Sequence, residues 1–317
     1  MRLCFLKIAP AVALGVLGAV LIARAKSVPS IGPAVPPARS GEPAGPGRGL
    51  VWKIEGGSAP VFLAGSLHLL RREDLPHPST LEAAYQGSQQ VWFEVPPGDM
   101  QKPAAAATVM ALGMLPADES LADVIPAETN RKVEAWAAEN PALAPVLERM
   151  RPWLAAMTIM LTEYQRMGVG PEHGIEQILM TRAREDGKKT GGFETVQQQL
   201  SFFGDLTPDK QQALLDKTFE DLAQSREHLA EMIAHWRAGR DQELAARMNQ
   251  SFAGHHDLKK RLLDDRNAAW IDPLEKLLAG DRATLVVVGA GHLAGEGSVV
   301  DLLQKKGWKL TRLEPVP

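Results

Sequence analysis

The chain has 317 residues, 35 basic against 38 acidic side chains, a formal charge of −3, and one cysteine, Cys4. A balance this close to neutral, with no basic cluster interleaved with aromatics, excludes a nucleic-acid footprint. A lone cysteine at position 4 leaves the folded part without an internal disulfide, a thiolate metal site or a cysteine nucleophile.

Met1 to Lys7 is a short basic start, and Ile8 to Ala23 is almost wholly apolar. Ala23-Arg24-Ala25 then places small residues at the spacing a signal peptidase reads. The apolar stretch is shorter than the ~20 residues of a relaxed bilayer span. Residues 1–25 therefore read as a cleaved export signal, with an uncleaved N-terminal anchor as the alternative because Arg24 is atypical in a cleavage triplet. Losing Arg2, Lys7 and Arg24 leaves 32 basic and 38 acidic residues, a charge of −6. Residues 26–49 form a linker in which eleven of 24 positions are Gly or Pro, too little apolar surface to offset the entropy of ordering. One α/β domain is expected over 50–317, periplasmic or secreted, or else held at the inner membrane by the N-terminal segment alone.

Leu50 to Ile54 and Val61 to Ala64 flank Gly56-Gly57-Ser58 and read as a hairpin. A short helix is expected over 81–87, and a strand over Gln90 to Val95, stopped by Pro96-Pro97. From 103 to about 186 the period becomes helical, with helices expected over 104–112, 127–139, 145–167 and 174–186. Lys188 to Glu194 is a short strand. Thr207-Pro208 is an N-cap with proline at the first helical position, opening a long helix to about 238. Helices follow near 241–250 and 257–278. Ala283 to Val288 is the most strongly β run and needs burial on both faces, so it belongs in the middle of a sheet. A helix over 298–306 and a strand over 308–313 close the chain. The fold class is α/β: a mixed β-sheet built from both ends of the domain, with a large helical insertion.

Two phrases carry the chemistry, Gly65-Ser66-Leu67-His68 and Gly289-Ala290-Gly291-His292, each directly after a strand. Glu94 and Glu194 also fall at strand ends. In open α/β sheets ligands bind beyond the carboxyl ends of the strands. Two imidazoles, His68 and His292, with a carboxylate from Glu94 or else Glu194, make an N/O donor set suited to Mn, Co or Zn, with His68, His292 and Glu94 the expected ligands. Such an ion would acidify bound water and polarise a carbonyl. Glu194, or Glu176 at a helix start, would act as general base; a capping carboxylate is the plainer role for Glu176. Arg266 would stabilise an oxyanion, against the plainer role of a surface ion pair. The remaining histidines lack this strand-end setting.

There is no zincin helix motif, no nucleophile elbow and no phosphate-binding lysine loop. Taken together, Gly65-x-x-His68, Glu94, Arg151-Pro152-Trp153, Gly174-Ile175-Glu176, Glu194-Thr195 with Gln197 to Leu200 and Phe203, Arg266-Asn267 with Trp270, and Gly289-Ala-Gly-His292-Leu resemble the TraB/GumN family over essentially residues 50–317. Its animal branch, TIKI, comprises metal-dependent proteases acting on Wnt proteins. The resemblance implies two Gly-x-x-His motifs lining one cleft, with Mn or Co, and function at His68, Glu94, Arg266 and His292. The family often has a second acid two places after the strand-end glutamate, where this chain has Pro96, and Asp99 is the candidate replacement. The expected activity is an exported metal-dependent hydrolase, most specifically a peptidase, on a peptide or small-molecule substrate. The alternative is a non-catalytic peptide- or small-ligand-binding protein of the envelope.

Overall fold

A computed structural model describes residues 47–315 except 223, 224 and 254. The expected export signal and the linker up to residue 46 lie outside the described residues. Among those described, strands form at β1 (Leu50–Glu55), β2 (Val61–Ser66), β3 (Leu70–Arg71), β4 (Gln90–Phe93), β5 (Val169–Gly170), β6 (Lys189–Gly192), β7 (Thr284–Gly289) and β8 (Lys309–Arg312). Six make one sheet in the order β6-β4-β7-β2-β1-β8, and β3 pairs with β5 in a separate ladder. The α/β class and the assembly of the sheet from both ends of the domain are as expected from the sequence.

Strands β6, β4, β7 and β2 run parallel, while β1 is antiparallel to β2 and β8. Parallel neighbours need crossovers. Helix Ser79–Gln86 lies between β2 and β4, and the helical insertion lies between β4 and β6. A second helical block, from Val196 to Leu278, lies between β6 and β7. All six residues of β7 are buried, as the run Leu285 to Val288 requires. Each such side chain is worth about 1.5–3 kcal/mol relative to exposure, so this strand has no solvent-facing alternative.

The helices depart from expectation where proline or a cap intervenes. The run 145–167 is not one helix. Ala144–Leu147 ends, Met150 bridges to Met114, and a new helix starts at Pro152 and continues to Arg166. The residue before proline is driven out of helical backbone, and Arg151 sits at ψ 154°. The stretch expected as a long helix over 207–238 is helical over Pro208–Leu222 and Ser225–Ala238, on either side of residues 223 and 224, which lie outside the described residues. Helix Val196–Gly204 was not anticipated, although Thr195 and Gln198 spell a capping box. The Thr195 hydroxyl accepts from the Gln198 amide at 3.2 Å, and the Gln198 side chain accepts from the Thr195 amide at 2.8 Å. The region 257–278 contains a π-helical segment, Lys260–Asp264, immediately before helix Asp265–Leu278. No helix among the described residues is long and apolar enough to cross a membrane.

Candidate functional site

Four adjacent parallel strands must present their carboxyl ends along one edge of the sheet. Each carries one candidate past that end: His68 after β2, His292 after β7, Glu94 after β4 and Glu194 after β6. The antiparallel strands β1 and β8 contribute none. The two acid-bearing segments are bonded to each other, the Glu194 amide donating to the Glu94 carbonyl at 2.8 Å.

Arg266 joins them. Its Nη2 donates to Glu94 Oε2 at 2.7 Å and to Glu194 Oε2 at 2.9 Å, and its Nε donates to Glu194 Oε1 at 2.8 Å. Nη1 donates to the Leu262 carbonyl, inside the π-helical segment, at 3.1 Å, and meets His292 Nε2 at 3.1 Å. A guanidinium has five N–H donors, and all five are committed. Gln199 Nε2 adds a bond to each carboxylate, at 3.0 Å to Glu94 and 2.9 Å to Glu194. Trp270 Nε1 donates to Glu194 Oε1 at 3.0 Å. Burial alone would raise the Glu94 carboxyl, yet the Arg266 guanidinium beside it, with His68 and the Gly289 amide, holds it well below the usual carboxylate range.

The state of His292 follows from its partners. Arg266 can only donate, so Nε2 accepts and Nδ1 carries the proton. Nδ1 lies 2.6 Å from Asn267 Oδ1, and the other end of that amide donates to the Gly297 carbonyl at 2.9 Å, which fixes its orientation. Burial disfavours the imidazolium and Arg266 repels it, pushing His292 down to about 3. The ring packs on Trp270, centroids 4.5 Å apart. His292 is a neutral ring with a committed lone pair.

His68 is the opposite case. Its Nδ1 lies 2.7 Å from Glu176 Oε1. Burial works against the charged ring, but Glu176, and Glu94 behind it, outweigh burial and raise His68 to about 8. Gly174 makes the approach possible. A Cβ there would run into the His68 carbonyl oxygen, and the Ile175 amide bonds the Leu67 carbonyl at 3.1 Å. The start of helix Ile175–Glu185 is thereby docked on the chain beside His68. Ser66, 1 % exposed, places its hydroxyl on the same Glu176 oxygen and 3.0 Å from the Val288 carbonyl of β7. Glu176 Oε2 is buried without a hydrogen-bond partner.

Gly289 lies between the two halves. A Cβ on it would stand 3.2 Å from Glu94 Oε1, 3.3 Å from His68 Nε2 and 3.6 Å from His292 Cδ2. The two rings therefore face one small space, with at most about 7 Å, the sum of the last two distances, between those ring atoms. The Gly289 amide donates to Glu94 Oε1 at 2.8 Å.

The expected metal set, His68, His292 and Glu94, has donor types that suit a divalent ion, and His292 Nε2 lies 3.8 Å from Glu94 Oε1. The arrangement does not fit one. The His292 lone pair is spent on Arg266 and a fixed cation already bridges the carboxylates, which leaves fewer than the three protein ligands of a catalytic zinc centre. Among the described residues no group of three His, Cys, Asp or Glu could hold a metal ion. The oxyanion role expected of Arg266 fails for the same reason, since it has no donor left. Asp99 pairs with Lys102 at 2.6 Å and does not supply the second acid. Sequence reading passed over Ser66, although it stands inside the first Gly-x-x-His phrase, and Gln199, which the Thr195 capping box would have placed on a helix.

The TraB/PrgY/gumN family pattern matches residues 50–312. The uncharacterized protein YbaP of Escherichia coli (strain K12) is 28 % identical over 249 residues, covering 78 % of this chain and 89 % of that one. Metalloprotease TIKI2 of Danio rerio is 23 % identical over 308 residues, covering 81 % of this chain but only 59 % of its own length. An uncharacterized protein of Treponema pallidum (strain Nichols) is 20 % identical over 269 residues, covering 81 % of this chain and 80 % of that one. No solved structure matches. With the match running from β1 through β8 and enclosing every residue of the cluster, the chain belongs to the TraB/PrgY/gumN family.

Proposed function

We propose that this chain is an exported hydrolase, acting on peptide bonds, in which His68 and Glu176 form the proton-transfer pair. The observation that carries the reading is His68, poised near neutrality with Nδ1 on Glu176 and Nε2 facing the space beside Gly289 and Glu94. A general acid–base group works best with a pKa near the operating pH. In its neutral form His68 Nε2 takes a proton from a water in that space, and in its charged form it returns one to the leaving nitrogen. Glu176 holds the ring in the required tautomer. Arg266 keeps Glu94 ionised and holds both carboxylates in place without touching substrate, and neutral His292 forms the far wall.

The name of the TIKI relatives supports a metal dependence at low identity. A Mn, Co or Zn ion would have to take its donors from His68, His292 and Glu94. Arg266 occupies that role in the arrangement described, so no step runs through an ion. The apolar segment at 8–23 supports a place of action outside the cytoplasm. The complete internal pairing of Arg266 also suits a second reading, a non-catalytic cleft that binds a peptide or small ligand.

The deciding experiment assays the purified chain against an unbiased peptide library, with and without chelator, beside His68→Ala, Glu176→Gln and the His68→Ala, His292→Ala double variant. Cleavage lost in His68→Ala supports the hydrolase. Absence of cleavage in the parent, or cleavage unchanged in both His68 variants, ends it. Capture of a peptide without cleavage supports the second reading.

A further inference from the structure

We infer that Ser66 is a positioning residue, whose hydroxyl tethers Glu176 so that this carboxylate holds the proton of His68 on Nδ1. The inference rests on His68 and Glu176 being the working pair of the proposed hydrolase, but its test does not need turnover.

Ser66 is the last residue of β2, two places before His68, and it is buried in the seam where β2 meets β7. Its hydroxyl contacts Glu176 Oε1 and the Val288 carbonyl. A serine hydroxyl has one proton and two lone pairs, so it donates to only one of these at a time. With Glu176 ionised, the proton goes to Oε1. The Val288 carbonyl beside it is a second acceptor, so the Ser66 hydroxyl has a partner in either orientation, which matters where an unpaired buried polar group is costly.

The tether is needed because the rest of the carboxylate is loose. Oε2 has no hydrogen-bond partner, so Oε1 alone fixes the group, through Ser66 and His68. Glu176 is also the second residue of its helix, on a side chain with three rotatable bonds. Without Ser66, only the ring that Glu176 is meant to orient would hold it. Glu94, Arg266 and His292 also face His68, from β4, the helix Asp265–Leu278 and the end of β7. They act on its charge, whereas the contact with Nδ1 is made by Glu176.

The test reads the His68 tautomer from ring ¹⁵N chemical shifts in the full chain, at a pH well above its value of about 8, with His68→Asn identifying the signals. Free neutral imidazole prefers its proton on Nε2, so a majority Nδ1–H form reports the hold of Glu176. The parent should be mainly Nδ1–H. Ser66→Ala and Glu176→Ala should each move His68 several-fold toward the Nε2–H form, and Ser66→Thr should restore the parent ratio. In the Glu176→Ala background, Ser66→Ala should have no further effect. A parent-like ratio in Ser66→Ala would overturn the inference, as would an equal Ser66 effect with and without Glu176. Failure of every variant to cleave peptides, with the tautomer moving as stated, would count against the hydrolase and not against Ser66.

Discussion

His68 Nδ1 lies 2.7 Å from Glu176 Oε1, although the two residues are more than a hundred positions apart and leave different elements. The contact exists because Gly174 lets the start of its helix dock on the backbone of Leu67 and His68. It separates the two histidines of the repeated motif, one raised toward basic pH and one pushed down.

The raised His68 makes a prediction about stability. Its folded value of about 8 lies above the ordinary 6.5. The stabilisation is therefore complete below about pH 6.5 and lost as pH rises through 8, amounting to about 2 kcal/mol. Urea unfolding across that window should show the parent losing this increment and Glu176→Gln losing much less. Equal slopes in the two proteins would contradict the pairing.

His77 predicts the opposite slope. It is buried, its Nε2 lacks a partner, and burial together with Arg182 pushes it down to about 4. A histidine with a lowered folded value is harmless above the unfolded value of 6.5. Stability then falls as pH drops from 6.5, until the folded ring is itself protonated near 4. The loss should reach roughly 3 kcal/mol, and His77→Leu should remove that part of the acid sensitivity in the same urea series.

Gly289→Ala tests the small space between the rings. The backbone there, φ −51° and ψ 136°, suits alanine, so no backbone strain is introduced. The methyl would stand against Glu94, His68 and His292 instead. Cleavage should fall by more than about tenfold, since a displaced reacting atom loses its alignment. The circular dichroism spectrum should be unchanged, and parent-like kcat/KM would show that the space is not used.

Arg266 should be irreplaceable by lysine. An ammonium has three donors and no planar fork, so at least two of the five bonds must be lost. Removing the cation altogether leaves uncompensated charge and costs about 3–5 kcal/mol, whereas lysine keeps the charge and loses the geometry. Denaturant midpoints should place Arg266→Lys clearly below the parent and Arg266→Ala lower still.

Because Arg266 already bridges the carboxylates and engages His292, the purified chain should carry well under one equivalent of Mn, Co or Zn per molecule, and chelation should not reduce its activity. Elemental analysis beside the cleavage assay checks both. A stoichiometric ion removed together with activity would mean that Arg266 leaves His292 in the working enzyme.

The strands and the helical character of the middle were legible because they depend on local pattern. Leu285 to Val288 is apolar throughout and lies in the buried β7, and the glycine-histidine phrases follow two neighbouring parallel strands, β2 and β7. Helix breaks were missed even where proline dictated one: the helix expected over 145–167 runs through Arg151-Pro152, where the structure starts a new helix. The small β3–β5 ladder joins two-residue segments, too short to show a period.

Sequence alone determined which side chains stand at the carboxyl ends of strands, since alternation, glycine and proline act over a few residues. Tertiary structure decided what those side chains do. The same residue types become a neutral His292, a proton-holding His68 and two carboxylates bound by Arg266, because hydrogen-bond partners come from other elements of the fold, 26 positions away for His292 and more than a hundred away for His68 and Glu94. Charge state in a buried cluster is set by which donors and acceptors end up within about 3 Å, and that depends on how the chain crosses between parallel strands.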